Sequence, residues 1–190
     1  MAENKRIQIL DSAAVIFSKH GFHGAKMGDI AKGAGIGKGT IYRYFESKET
    51  LFQELIRYGM EEYKEGMRKV LNREGNCKEK IIELFKYHGY YLGKHIDITQ
   101  VVINQEGLMP KKLKEEMVNE KMELLAMIEE LLDRGKNNKE LRENLDVGLA
   151  ALSIIGSISN FYGKELYYNR KEFKEICPGP MVDLLFEGFN

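Results

Sequence analysis

The histidines, cysteines and serines of this sequence are the residues able to do bond chemistry, and their spacing argues against it. His88 and His95 stand seven positions apart with no acidic residue in an HExxH frame, and His20 and His23 fall in a turn, so no metal site is expected. Ser153, Ser157 and Ser159 lie in an apolar stretch without a GxSxG elbow or a nearby His/Asp pairing. The glycines of GAGIGKGT suggest a phosphate loop, yet Lys32 stands where GxxxxGK[ST] needs its first glycine and Gly39 where it needs Ser or Thr. Cys77 and Cys177, a hundred positions apart and without CxxC, read as inert thiols of a reducing cytoplasm. No catalytic residue, metal or cofactor is implied, and the chain is expected not to be an enzyme.

Binding chemistry is concentrated instead in the segment Gly21–Leu51, GFHGAKMGDIAKGAGIGKGTIYRYFESKETL, where cations and tyrosines interleave with glycines. Over all 190 residues, 29 Lys and Arg balance 29 Asp and Glu, so net charge alone nominates no polyanionic partner. Up to Lys48, however, eight basic residues (Lys5, Arg6, Lys19, Lys26, Lys32, Lys38, Arg43, Lys48) face four acidic ones (Glu3, Asp11, Asp29, Glu46), leaving 21 basic against 25 acidic in the remainder.

The elements that must position these residues read as helices throughout. Prolines number three, apolar residues recur at three- and four-residue intervals, and no segment shows strand-like alternation. A first helix is expected over Lys5–His20, with Ile7, Leu10, Ala14 and Phe17 on one face and Gly21 ending it. Short helices follow at Met27–Ala34 and Lys38–Phe45, broken by Gly35: two short helices about a glycine turn, the helix-turn-helix arrangement. A longer helix begins at Ser47, whose hydroxyl can cap it, and runs towards Asn72. Further helices are expected at Lys78–Lys94, Thr99–Gln105, Lys111–Arg134, Leu145–Tyr168 and Met181–Phe189. The uncharged stretch Val147–Gly163 is too short to span a bilayer, and the polar start MAENKRIQIL does not read as a signal peptide.

The order of features in Gly21–Leu51 resembles the DNA-binding domain of the TetR family of bacterial transcriptional repressors. They are a glycine-aromatic turn, Ile30-Ala31, Ala34-Gly35 before a branched residue, Lys38-Gly39-Thr40, the YxYF of residues 42–45, and Ser47-Lys48-Glu49 before a leucine. The resemblance implies that residues 1–47 form a helix-turn-helix DNA-binding domain and residues 48–190 a larger helical effector-binding and dimerisation domain. Gly37 then caps the third helix, whose N–H groups meet a DNA phosphate. Lys38, Thr40 and Arg43 fall on or near the face entering a major groove, and Tyr42 and Tyr44 reach phosphates or thymine methyls. Lys48 matches a phosphate-contacting lysine that anchors register. Two departures stand out: Ala25 and Lys26 replace hydroxyl residues common before the second helix, and Gly28 replaces a side chain that often touches DNA.

Beyond residue 50 the specific resemblance fades. Aromatics and methionines between 58 and 127, with Phe161, could line an apolar ligand cavity; Tyr63, Met67, Phe85, Tyr90, Met109, Met122 and Phe161 are the candidate lining residues. Small residues at Gly156, Ser159 and Gly163, with Leu185 in the terminal MVDLLFEGF, could form a four-helix homodimer interface of the kind the family uses. The expected function is therefore a cytoplasmic, ligand-responsive repressor. It would bind a palindromic double-stranded operator as a homodimer, respond to a small apolar or amphipathic effector, and have no membrane partner. An all-α enzyme and a helical protein-binding adaptor are the alternatives, and neither would retard duplex DNA sequence-selectively.

Overall fold

A computed structural model describes residues 2–188, apart from the side chains of residues 2, 3, 103 and 167; Phe189 of the terminal apolar segment lies outside the described residues. Among the described residues the chain is all-α, with no strand. Its helices are α1 (Ala2–Gly24), α2 (Met27–Gly33), α3 (Lys38–Ile41), α4 (Lys48–Leu71), α5 (Cys77–Lys94), α6 (Ile96–Gln105), α7 (Lys111–Asn137), α8 (Val147–Tyr162) and α9 (Gly179–Glu187). None of these is long and apolar enough to cross a membrane.

Local chemistry sets the boundaries. Gly21 sits at φ 65°, ψ 173°, a backbone region open essentially to glycine alone, so α1 changes course where the sequence places its end and adds one short turn to Gly24. Helix α2 starts from an extended Lys26 with no side-chain cap, as the missing hydroxyl implies. Helix α3 is shorter than its pattern suggests. After Ile41 the bonds tighten, Arg43 N–H donating to the Thr40 carbonyl at 3.1 Å and Tyr44 N–H to that of Ile41 at 3.0 Å, because the chain must reverse into the start of α4. There Ser47 Oγ accepts the Thr50 N–H at 3.0 Å, the expected cap. Asp146 likewise caps α8 through the Leu149 N–H at 3.0 Å, which fixes its start at Val147. The expected Leu145–Tyr168 helix is α-helical to Tyr162 and then continues as a π-helical turn, Gly163–Tyr168.

Packing divides the chain into two compact units, Met1–Glu62 with His95–Met117, and Tyr63–Lys94 with Val118–Asn190, with the divisions falling inside α4 and α7. The core of the first unit holds Phe17, Ile30, Ile41, Phe45, Leu51 and Leu55, all 1% exposed or less. Its aromatic centre is Phe52, which meets Phe17 edge-on at 5.4 Å and Phe22 at 5.2 Å. Helix α6 packs on α1 in this unit, where Asp97 accepts from Ser18 Oγ and Gln105 Oε1 accepts the Phe22 N–H at 3.3 Å. The core of the second unit gathers Ile81, Leu84, Phe85, Ile128, Ile154 and Tyr162 from α5, α7 and α8.

Candidate functional site

The helix-turn-helix is built from α2, a turn and α3. Ile30, Ala31 and Ile41 are buried, and the turn is closed by Gly35 N–H donating to the Lys32 carbonyl at 3.1 Å and Ile36 N–H to that of Ala31 at 3.0 Å. Gly35 takes φ 66°, a left-handed value suited to its missing Cβ. With Ile41 and Phe45 turned inward, Lys38, Gly39, Tyr42 and Arg43 are exposed, and Thr40 and Tyr44 half-buried. Gly37 is the extended residue before α3, as its N-cap role requires. The resulting surface presents two cations and three hydroxyl groups on a rigid apolar base, a composition suited to phosphate oxygens and base edges.

Two cations brace this surface from behind. Arg6 lies 4.7 Å over the Phe45 ring and pairs with Glu54 at 2.9 Å, tying α1, the end of the α3 segment and α4 together. Lys48 donates to the backbone carbonyls of His23 at 3.3 Å and Ala25 at 3.1 Å, and its ammonium sits 4.7 Å over the Phe22 ring. Sequence reasoning gave Arg6 no role; its side-chain partners are distant in sequence and no local pattern announces them.

In the second unit, Tyr63, Met67, Phe85 and Phe161 share one cluster. Tyr90 and Met122 are 49% and 55% exposed, and Met109 belongs to the core of the first unit. Besides Phe85, the inward aromatics of α5 are Tyr87, His88 and Tyr91, a face that the three- and four-residue spacing from Leu84 could have revealed. Tyr63 stacks with Tyr87 at 5.9 Å and meets Tyr91 edge-on at 5.0 Å, and its hydroxyl is hydrogen-bonded to His88 Nδ1 at 2.7 Å. Burial pushes the Tyr63 phenol above its usual range and the His88 imidazole down to about 4, so both are neutral near pH 7. The buried Cys77 thiol is pushed up to about 12, first by burial and then by Glu140, so it is protonated near pH 7. No group of three His, Cys, Asp or Glu able to hold a metal occurs among the described residues.

On α8, Leu149 and Leu152 are 63% and 54% exposed, and Ser153, Gly156, Ser159 and Asn160 are exposed as well; Leu184 on α9 is 63% exposed. Gly163 is half-buried with open space beside it, while Leu185 is half-buried and packs on its own core.

An all-α chain with this N-terminal arrangement is a helix-turn-helix transcriptional regulator. Residues 9–55 match the family model described as bacterial regulatory proteins, tetR family. The match spans the helix-turn-helix and parts of the helices on either side of it, 47 of the 190 residues. The fatty acid metabolism regulator protein of Bacillus subtilis (strain 168) is 28% identical over 190 residues, covering 98% of this chain and 96% of that protein. Among solved structures, the transcriptional regulator FadR from Bacillus subtilis, in complex with stearoyl-CoA, matches with a TM-score of 0.75 at 26% identity over 97% of this chain and 99% of that one. The fatty acid degradation regulator FadR from Bacillus halodurans matches with a TM-score of 0.79 at 27% identity, over 97% and 95%. These relatives are transcriptional regulators rather than enzymes.

Proposed function

We propose that this regulator is a cytoplasmic repressor that binds a palindromic operator as a homodimer and is released by an amphipathic effector, a long-chain acyl thioester. In this reading residues 1–47 read DNA, and residues 48–190 hold the effector and the partner. The observation that carries it is the exposed Lys38, Tyr42 and Arg43 set above buried Ile41 and Phe45. Gly37, Thr40, Tyr44 and Lys48 complete the proposed DNA surface. The similarity to FadR of Bacillus subtilis, solved with stearoyl-CoA, supports the effector class, and Tyr63, Met67, Phe85 and Phe161 supply apolar walls for it. The apolar and small-residue stripe of Leu149, Leu152, Gly156, Ser159 and Gly163, with Leu184, supports self-association through α8 and α9.

Bound effector would change the separation of the two recognition helices from the roughly 34–36 Å between successive major grooves, so that ligand and DNA oppose each other's binding. Retardation of duplexes from upstream of the gene and of fatty acid degradation genes, with stearoyl-CoA titrated in, tests the whole reading. Sequence-selective retardation abolished by stearoyl-CoA but not by free CoA is expected. Absence of any selective complex would overturn the repressor; a selective complex indifferent to acyl-CoA would overturn the effector class.

A further inference from the structure

Tyr162, the last residue of α8, is 0% exposed, and its hydroxyl oxygen has no hydrogen-bond partner. A phenol so placed carries the full desolvation penalty of its hydroxyl with nothing in return, which an apolar ring at the same position would not. The ring is held firmly. It lies against the backbone of α5 at Gly89, where an added Cβ would come 2.2 Å from it, and it meets the Phe161 ring edge-on at 5.1 Å and that of His88 at 5.6 Å. The chain immediately beyond is the π-helical turn Gly163–Tyr168, the kind of irregularity that often marks a functional site.

The surroundings define what could complete this hydroxyl. Burial keeps Tyr162 protonated, with the Cys177 thiol adding to the effect, so it is an O–H donor. Tyr63 and His88 are neutral and already hydrogen-bonded to each other. The buried cation of this unit, Lys64, is held by Glu120 at 2.7 Å and Glu123 at 3.3 Å. A carboxylate or phosphate brought to Tyr162 would be desolvated against neutral groups, whereas an uncharged carbonyl needs no more than a donor. We infer that the Tyr162 hydroxyl is the donor that receives the thioester carbonyl of the effector, with the alkyl chain among Phe85, Phe161 and Met67. This rests on the acyl-thioester reading above and assigns the polar end of that site.

The test compares stearoyl-CoA with S-octadecyl-CoA, the thioether in which a methylene replaces the carbonyl, on the full chain. The parent protein should bind the thioester about tenfold more tightly, the ordinary effect of one buried hydrogen bond. Tyr162→Phe should bind both alike, with a melting temperature unchanged or raised. Tyr168→Phe, at an exposed tyrosine outside the site, should keep the discrimination. In the parent complex the infrared stretch of a 13C-labelled thioester carbonyl should move to lower frequency, a readout independent of any variant's folding. Discrimination that survives in Tyr162→Phe, a lowered melting temperature in that variant, or an unshifted carbonyl would overturn the assignment and leave the effector class standing. A parent protein that binds neither ligand would overturn both.

Discussion

The ammonium of Lys48 donates to the carbonyl oxygen of Ala25 at 3.1 Å, across the turn that joins α1 to α2. With the His23 carbonyl as a second acceptor, two of its three N–H donors are committed to backbone. Lys48 therefore fixes the entry into the helix-turn-helix, and the proposed phosphate contact falls to its remaining donor. Holding the frame and anchoring DNA would be two uses of one side chain.

Lys48→Ala should thus show two effects. Loss of the bonds to His23 and Ala25 should cost about 1 kcal/mol, a fall in melting temperature of about 2–4 °C. Affinity for operator and random duplex should drop together, because a phosphate anchor carries no sequence information. Thermal denaturation and fluorescence anisotropy on both duplexes measure the two independently.

Arg43 is exposed and should behave in the opposite way. Arg43→Ala should leave stability within about 0.5 kcal/mol and cost about 1–3 kcal/mol at the operator, with little change on random DNA. In the parent protein the affinity should fall steeply with salt, with a log–log slope near −0.9 per contact for about six to ten phosphates per dimer. Anisotropy titrations at several salt concentrations check both statements.

Gly156 has open space around the position of an added Cβ, so a single chain tolerates a large side chain there. If the α8 stripe is the partner surface, Gly156→Arg should yield a folded monomer by sedimentation. Operator affinity should then drop by at least tenfold although every proposed DNA-contacting residue is intact, since linked half-sites gain from effective concentration. Unchanged sedimentation would move the interface elsewhere.

The buried His88 imidazole predicts a pH dependence of stability. Its proton affinity is depressed from 6.5 to about 4 by burial, so between these values the unfolded chain binds a proton that the folded chain does not. Stability is then full above pH 6.5 and is lost as pH falls through this window, by about 1 kcal/mol per pH unit. Urea midpoints of the parent protein should decline more steeply from pH 6.5 to 4.5 than those of His88→Gln.

Most helices were legible because their apolar spacing and punctuation agree: Gly21, Gly35 and the Ser47 hydroxyl mark turns and a cap by chemistry that acts within a few residues. The short α3 was not, since its pattern continues to Phe45 while the chain must reverse into α4. The exposed set of Lys38, Tyr42 and Arg43 was legible as a group because Ile41 and Phe45 point inward and so dictate which neighbours point out. Within the effector candidates, adjacent tyrosines defeated composition. Tyr90 and Tyr91 are chemically identical, and the helical phase of α5 turns one outward and the other in. Tyr162 gave no signal at all, because an orphaned hydroxyl is a property of the partners that a side chain lacks.

Gly21 carries a consequence for variation in this protein. The side chain of Gln105 lies 3.5 Å from where a Cβ would sit, an ordinary contact, so space is available and the barrier is the dihedral pair alone. Every missense change reachable by one base from a glycine codon installs a β-carbon, and the region near φ 65°, ψ 173° accepts none of them without strain. In a library of single-nucleotide variants scored for repression, codon 21 should therefore return synonymous changes in its third base and little else, while codon 39, whose glycine has ordinary dihedrals and open space, should drift freely in any background that does not depend on operator contact.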